Sequence, residues 1–320
     1  MRREGSPFQG AGTVLVKELA DHLSSIRMVV LQWLIVLTAA AALYGAIESL
    51  RQNTAEDPFL LLRIFTVERS PLPSFVTILG FLIPLMAIGL GFDAVNGEHN
   101  RGTLSRILSQ PIYRDALLAG KFLAGLATIA ISLTALWLLV IGLGLLLLGV
   151  PPGGEEILRA LAFLGVTVLY AGVWLALAML LSVILRSPAS AALVALGLWL
   201  LFAVLWPMLG PALAQVIAPP DPQYALLGLP TPETLEWQQR LLRLSPNYLF
   251  GEAMLAILSP STRALGTVFL EQLQGAVMGA PLPLGQSLLL AWPQTVGLMA
   301  TLIVLFTAGY VLFQRQEVRA

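Results

Sequence analysis

Apolar and polar positions along this chain fall in long blocks. Six apolar runs, roughly Met28–Leu50, Ser74–Val95, Ala119–Gly149, Glu156–Leu185, Ala189–Leu209 and Leu288–Phe313, are separated by polar stretches. Each reaches the roughly 20 residues that a helix rising ~1.5 Å per residue needs to cross ~30 Å of hydrocarbon. None shows the period-two alternation of a membrane barrel. The pattern predicts an all-α fold, a polytopic helical membrane protein with six transmembrane helices. The third and fourth runs are long enough to tilt or project from the bilayer. Arg186-Ser187-Pro188 leaves almost no connector, so runs four and five should form a tight antiparallel hairpin. Pro84, Pro207 and Pro293 each free a backbone carbonyl and should kink their helices.

Outside the runs the period changes. In Thr13–Arg27, Val16, Leu19, Ala20, Leu23 and Ile26 recur at helical spacing, with Lys17, Glu18, Asp21 and Ser24 on other faces. This predicts an amphipathic elbow helix lying at the membrane interface. The proline-rich stretch 210–287 breaks into short pieces: Glu233–Leu244 and Ala264–Met278 read as short amphipathic helices. Asn247–Leu258 is more apolar, yet its ~18 Å of helix is too short to span. It reads either as a re-entrant or interfacial helix or as the core of a small external cap. The expected organisation is a cytoplasmic N-terminus with the elbow over 1–27, spans one to five over 28–209 with a cytoplasmic loop at 96–118, an extracytoplasmic segment 210–287, and the sixth span with a cytoplasmic C-terminus over 288–320.

Composition agrees. Hydrophobic residues make up 57% and charged residues 11%, with a mean hydropathy of +0.83, too apolar for a soluble globule. The chain has no cysteine, which excludes thiol catalysis, disulfides and Cys-based metal sites. The first apolar run exceeds a signal-peptide h-region and follows a long polar stretch, so it is expected to be retained. Formal net charge is zero, but its distribution is informative. With the N-terminus inside, the inner segments carry Arg2, Arg3, Lys17, Arg27, Arg101, Arg106, Arg114, Lys121, Arg186, Arg315 and Arg319, whereas the short outer loops carry only Arg51, Arg63, Arg69 and Arg159. The positive-inside bias favours a cell-membrane protein with both termini cytoplasmic.

The densest chemistry lies in Asp93–Lys121, DAVNGEHNRGTLSRILSQPIYRDALLAGK. Asp93 ends the second span, and Gly97-Glu98-His99-Asn100-Arg101-Gly102-Thr103 supplies a turn. Leu104–Ser109 is expected to be a short helix with Leu104, Ile107 and Leu108 on one face and Arg106 opposite. Pro111 stops it, Arg114 and Asp115 follow, and Lys121 is placed to snorkel at the membrane surface. A short helix held between two span ends is a handle that a partner can push. His99 beside Glu98 has no second histidine near it, so no metal site is expected, and Gly89-Leu90-Gly91 lies inside a span with no strand before it, so it is no nucleotide fingerprint.

Phe81–Gly125 resembles the corresponding stretch of ABC type-2 exporter permeases, particularly the six-span kind of the nitrous-oxide-reductase maturation transporter. The matching positions are Asp93, Gly97, Glu98, Gly102, Thr103, Leu108, Pro111, Arg114, Gly120 and Lys121. Asn100 stands where the family usually has a carboxylate, and Arg101 replaces a small residue. Weaker likeness extends to Val16-Lys17-Glu18-Leu19 and Leu244-Ser245-Pro246. The resemblance implies a permease subunit that is not itself an enzyme, working as a dimer, most simply a homodimer, with a pair of cytoplasmic ABC ATPase subunits. ATP and Mg would be bound by those partners, since this chain lacks a Walker A pattern. The residues implied to couple to the ATPase are Gly97, Glu98, Arg101, Gly102, Thr103, Leu104, Ile107, Leu108, Pro111 and Arg114. The moving spans would export a substrate or act mechanically on an extracytoplasmic partner through 210–287.

Charge is nearly absent from the spans, with Glu48 and Asp93 at span ends, which argues against a proton- or sodium-driven carrier. Gly142, Gly144, Gly165, Gly172 and Ala178 permit close helix approach, within the chain or at a dimer seam. Contacts with membrane lipid are expected and nucleic acid is not. The alternatives are an intramembrane enzyme, which needs polar groups clustered at membrane depth, and a non-transporting membrane assembly scaffold.

Overall fold

The computed structural model describes residues 10–52, 59–68, 70, 73–103, 113–149, 151–221, 223–224, 230–265 and 281–315. Among these there is no strand. In chain order the helices are α1 (Ala11–Ser24), α2 (Ile26–Gln52), α3 (Leu60–Thr66), α4 (Phe75–Gly91), α5 (Asn96–Asn100), α6 (Arg114–Leu148), α7 (Gly154–Ile184) and α8 (Pro188–Leu200). A π-helical turn, Leu201–Leu205, leads into α9 (Trp206–Ile217), followed by α10 (Pro232–Leu242), α11 (Pro246–Leu258) and α12 (Leu284–Arg315). Six stretches are long and apolar enough to cross a membrane: Ile26–Leu50, Phe75–Asn100, Arg114–Leu147, Gly154–Ile184, Pro188–Ile217 and Leu284–Arg315. These are the six expected spans, the fifth continuing past Leu209 to Ile217. The chain is an all-α, multi-pass membrane protein.

α7 is the centre, packed by α12, α4, α6 and α11. Its buried face includes Phe163, Tyr170, Trp174 and Met179. Small residues set the closest approaches. A Cβ on Gly91 would lie 2.8 Å from Ala178 Cβ and 3.1 Å from the Leu175 carbonyl, so α4 and α7 touch nearly backbone to backbone. Gly172 and Gly144 likewise pack within the chain, against Leu302 and Ile64, whereas Gly165 and Gly142 face open space. The turn at Arg186 is as short as expected: Leu185 ends α7, and the Ser187 hydroxyl caps α8 by accepting from Ser190 N–H at 3.5 Å.

Ala264–Met278 lies outside the described residues except at its first positions. The other two pieces of 210–287 form a hairpin that dips into the bundle. α10 runs beside α9, with Trp206 Nε1 donating to the Leu241 carbonyl at 2.8 Å. At the tip, Ser245 Oγ donates to the Phe202 carbonyl at 3.1 Å, and Phe202 stands at the middle of the span Pro188–Ile217. In the returning α11, the Phe250 ring stacks on Tyr170, near the middle of the 31-residue α7, with centroids 4.4 Å apart. Of the two readings of Asn247–Leu258, the re-entrant one is therefore what the contacts describe.

That hairpin overturns one expectation. Arg243 and Glu252, outside every span by sequence, are carried to span depth: Glu252 is 7% exposed, accepts from Arg243 at 2.8 and 3.2 Å, and accepts from Gln294 Nε2 at 3.0 Å. Gln294 lies ~15 Å along α12 from Leu284 by helical rise. The bundle interior is thus not devoid of charge, because a re-entrant segment brings in ionisable groups that hydropathy assigns to a loop.

Candidate coupling site at the α5 end of the bundle

α1, α5, the Arg186 turn and the C-terminus of α12 gather at one end of the bundle. α1 lies along α6, where a Cβ on Gly120 would meet Val14 Cγ1 at 2.8 Å. The face it buries is mixed. Val14 and Glu18 point inward, while Val16, Leu23 and Ile26 are 66, 43 and 82% exposed. Lys17 and Asp21 are exposed as well, so α1 turns Val14, Glu18 and His22 toward the bundle and leaves a mixed apolar and polar surface outside.

Glu18 turns inward to meet Lys121. The Lys121 ammonium is 6% exposed and lies 2.8 Å from Glu18 Oε1 and 3.4 Å from Glu98 Oε1. The expected snorkelling lysine is instead a buried cation shared by two carboxylates, one on the elbow helix and one in α5. Sequence reasoning did not pair Glu18 with Lys121, since nothing local links positions so far apart in the chain.

The expected coupling residues divide. Gly97 is buried against Asp93, where a Cβ would sit 3.3 Å from Asp93 Cβ. Glu98 is 7% exposed, and its carbonyl accepts from Thr103 Oγ1 at 3.1 Å, the same hydroxyl also donating to its carboxylate. Gly102 ends this helix at φ +66, a left-handed conformation that glycine adopts without a Cβ clash. Arg101 is exposed, and Arg114 is the first residue of α6. Leu104, Ile107, Leu108 and Pro111, with Arg106, lie outside the described residues.

α5 is tied down from behind. Ser182 Oγ accepts from the backbone N–H groups of Val95 and Asn96 at 3.0 and 3.2 Å, and Asn96 Nδ2 donates to the Leu185 carbonyl at 3.1 Å. Asn100 Nδ2 donates to the Arg186 carbonyl at 3.2 Å. A carboxylate at position 100 has no proton to give there, which accounts physically for the amide. Arg27 Nη1 bonds Asp93 Oδ2 at 2.8 Å, and Gln314 Nε2 bonds Asp115 Oδ1, so the second, third and sixth spans and the elbow junction are cross-tied. A cleft of about 280 Å³ runs between these groups, lined by Lys17, Glu18, His22, Arg27, Asp93 and Lys121 among others.

Titration of this end has a definite sign. Burial pushes the Glu18 carboxyl up, but the Lys121 ammonium and the hydrogen bonds from Lys121 and Lys17 outweigh it and hold the group below its ordinary 4.5. Burial holds the His22 imidazole below its ordinary 6.5, against the pull of Glu18 and Asp93 and with Lys121 and Arg27 adding to the depression. Both folded values are depressed, so the contribution to α1 docking is complete above the ordinary values and is lost as pH falls through the folded ones. The protection factors of residues 11–24, exchange corrected for its intrinsic base catalysis, should be flat above pH about 6.5 and fall on acidification, first with His22 and then with Glu18. A His22→Gln chain should lack the first step; an unchanged profile in that variant would assign the step to another group.

A bundle with six spans and a charged, cross-tied loop end defines a class, the multi-pass helical membrane proteins. The chain belongs to the ABC-2 family of transporter proteins, whose family model matches residues 13–318. It is 31% identical over 245 residues to the probable ABC transporter permease protein NosY of Pseudomonas aeruginosa, covering 74% of this chain and 78% of that protein. It is 29% identical over 303 residues to the probable ABC transporter permease protein NosY of Stutzerimonas stutzeri, covering 94% of this chain and 96% of that one. The chain is thus an ABC transporter permease subunit, not itself an enzyme, and a permease of this kind implies an ATPase partner subunit.

Proposed function

We propose that this chain couples ATP hydrolysis by a separate cytoplasmic ABC ATPase to movement of its spans, in an export complex of two permease subunits and a pair of ATPases that bind ATP and Mg. Both termini and the 96–118 loop face the cytoplasm in this reading, supported by the excess of Lys and Arg at that end. The observation that carries it is Lys121, whose ammonium joins the elbow helix, α5 and the third span in one buried knot. A push on the 96–118 loop is then delivered to α6 and α1 together through Lys121, and to α7 through Ser182. The span Pro188–Ile217, only 11% buried within the chain, offers an apolar face for the second permease copy.

The test uses the reconstituted permease–ATPase complex. If Leu104, Ile107 and Leu108 form the face that enters the ATPase, Leu108→Asp should leave insertion and dimerisation normal yet weaken ATPase binding about thirtyfold, the ~2 kcal/mol of an interface hot spot. Arg106→Ala on the opposite face should do less. Full binding and permease-dependent hydrolysis in Leu108→Asp would refute the assignment.

A further inference from the structure

The α10–α11 hairpin borders an open cleft that coupling at the other end does not use. A cavity of about 610 Å³ lies between α10, α11 and the π-helical turn of the fifth span, well within the size of small-ligand sites. Phe202, Pro207, Leu242 and Leu255 form apolar walls, and Leu255, 50% exposed, stands at the rim within reach of lipid. The polar side is Glu252, held by Arg243 and Gln294, together with Asn247. Asn247 Oδ1 is buried and, among the described residues, has no hydrogen-bond partner. A second cavity of about 670 Å³, toward α3 and α4, shares Ala203, Asn247, Gly251 and Leu255 as a common wall.

These features specify a ligand. Of the buried side-chain atoms without a partner among the described residues, Asn247 Oδ1 is the one that lines this cavity, and a buried orphan oxygen is costly. The π turn supplies two of the lining residues, and such turns recur at functional sites. The Arg243–Glu252 pair is internally neutral, so the cavity offers no net charge to draw an ion. It offers an unused acceptor beside apolar walls.

We propose that this cavity binds an uncharged amphiphile, a head bearing hydroxyl or amide donors on a hydrocarbon chain, with Asn247 Oδ1 accepting from the head. This names a cargo class for the export reading and rests on it for purpose, but not for binding itself. The same head chemistry is presented by a neutral membrane lipid or by a free amphiphile.

The experiment uses the nucleotide-free permease–ATPase complex in nanodiscs doped with a photoactivatable diacylglycerol. Label is expected on peptides covering 202–207 and 238–255. Asn247→Leu, which removes the acceptor at similar volume, should lower it about fivefold, the worth of one neutral hydrogen bond. Gly251→Leu should abolish it while the complex stays folded, because a Cβ there meets nothing within 4 Å. A phosphatidylcholine with the same chains and photogroup, which has no donor in its head, should label at background. Labelling that resists water-soluble monohexanoylglycerol assigns the site to membrane lipid, and displacement by it assigns the site to a free amphiphile. Undiminished labelling in both variants, or equal labelling by phosphatidylcholine, overturns the proposal. Because no nucleotide is present, these outcomes are independent of the Leu108→Asp result.

Discussion

Replacing Arg159 by alanine is expected to cost the fold about 3–5 kcal/mol, the scale of removing one partner from a buried charged network. The charge count assigns Arg159 to an outer loop although it falls at the start of the fourth apolar run, and the structure buries it completely on α7. Its Nη1 donates to the Ile257 carbonyl at 2.7 Å and to Ser287 Oγ at 3.0 Å, and Nη2 donates to the Leu282 carbonyl. Nε and Nη2 also reach Glu155 Oε1 at 3.1 and 2.9 Å, and the guanidinium lies 5.8 Å from the Phe59 ring centroid. Ile257 is in the last turn of α11, where carbonyls lack helical partners and the dipole is negative, so a cation there compensates both. Alanine strands three acceptors and leaves Glu155 alone. Lysine should recover only part of the loss, since one ammonium does not reproduce the fork. Thermal unfolding in nanodiscs is the measurement; an Arg159→Ala midpoint equal to that of the parent chain would show that water satisfies those carbonyls and that the guanidinium holds nothing together.

Lys121→Met should be comparably damaging for the opposite reason. It leaves Glu98 without its cation and Glu18 with only the half-exposed Lys17 at 3.0 Å, a loss of about 3–5 kcal/mol for a broken buried pair. One carboxylate then takes up a proton, or α1 lifts off α6. The expected signature is fast amide exchange over residues 11–24 together with loss of permease-dependent ATP hydrolysis. Removing the carboxylates as well, in Glu18→Gln/Glu98→Gln/Lys121→Met, should restore protection of α1, because no uncompensated charge remains. If the triple variant is as loose as the single one, the knot acts through shape rather than charge.

Both hubs show where hydropathy stops being informative. The six spans follow from apolar runs longer than any globular core element, and they are where the sequence places them. Gly97, Glu98 and Thr103, singled out by pattern, do sit together, because a turn is a local object. Glu18 with Lys121, and Arg159 with Ile257 and Ser287, join residues far apart in the chain, and no local period encodes such pairings. The elbow helix is instructive in another way. Its amphipathic period is plain in the sequence, yet the period alone does not say which face turns inward, since that depends on whether water or hydrocarbon lies outside. Likewise Glu252 reads as a loop acid until the hairpin is seen to dive, a consequence of Ser245 meeting the Phe202 carbonyl rather than of anything in the composition.

The central position of α7 has a mechanical corollary. A helix gripped on several sides at once, with 72% of its apolar window buried, has the least freedom to shift without breaking contacts on every flank. In the proposed coupling cycle it would serve as the stator. The span Pro188–Ile217, joined to it by the short turn at Arg186 and held otherwise chiefly by the α10–α11 hairpin, would be the rotor of the proposed cycle, with Asn100 gripping the carbonyl at their shared pivot. If ATP drives this subunit as proposed, its working stroke is a rotation about that pivot, with α7 as the frame of reference against which every other displacement is measured.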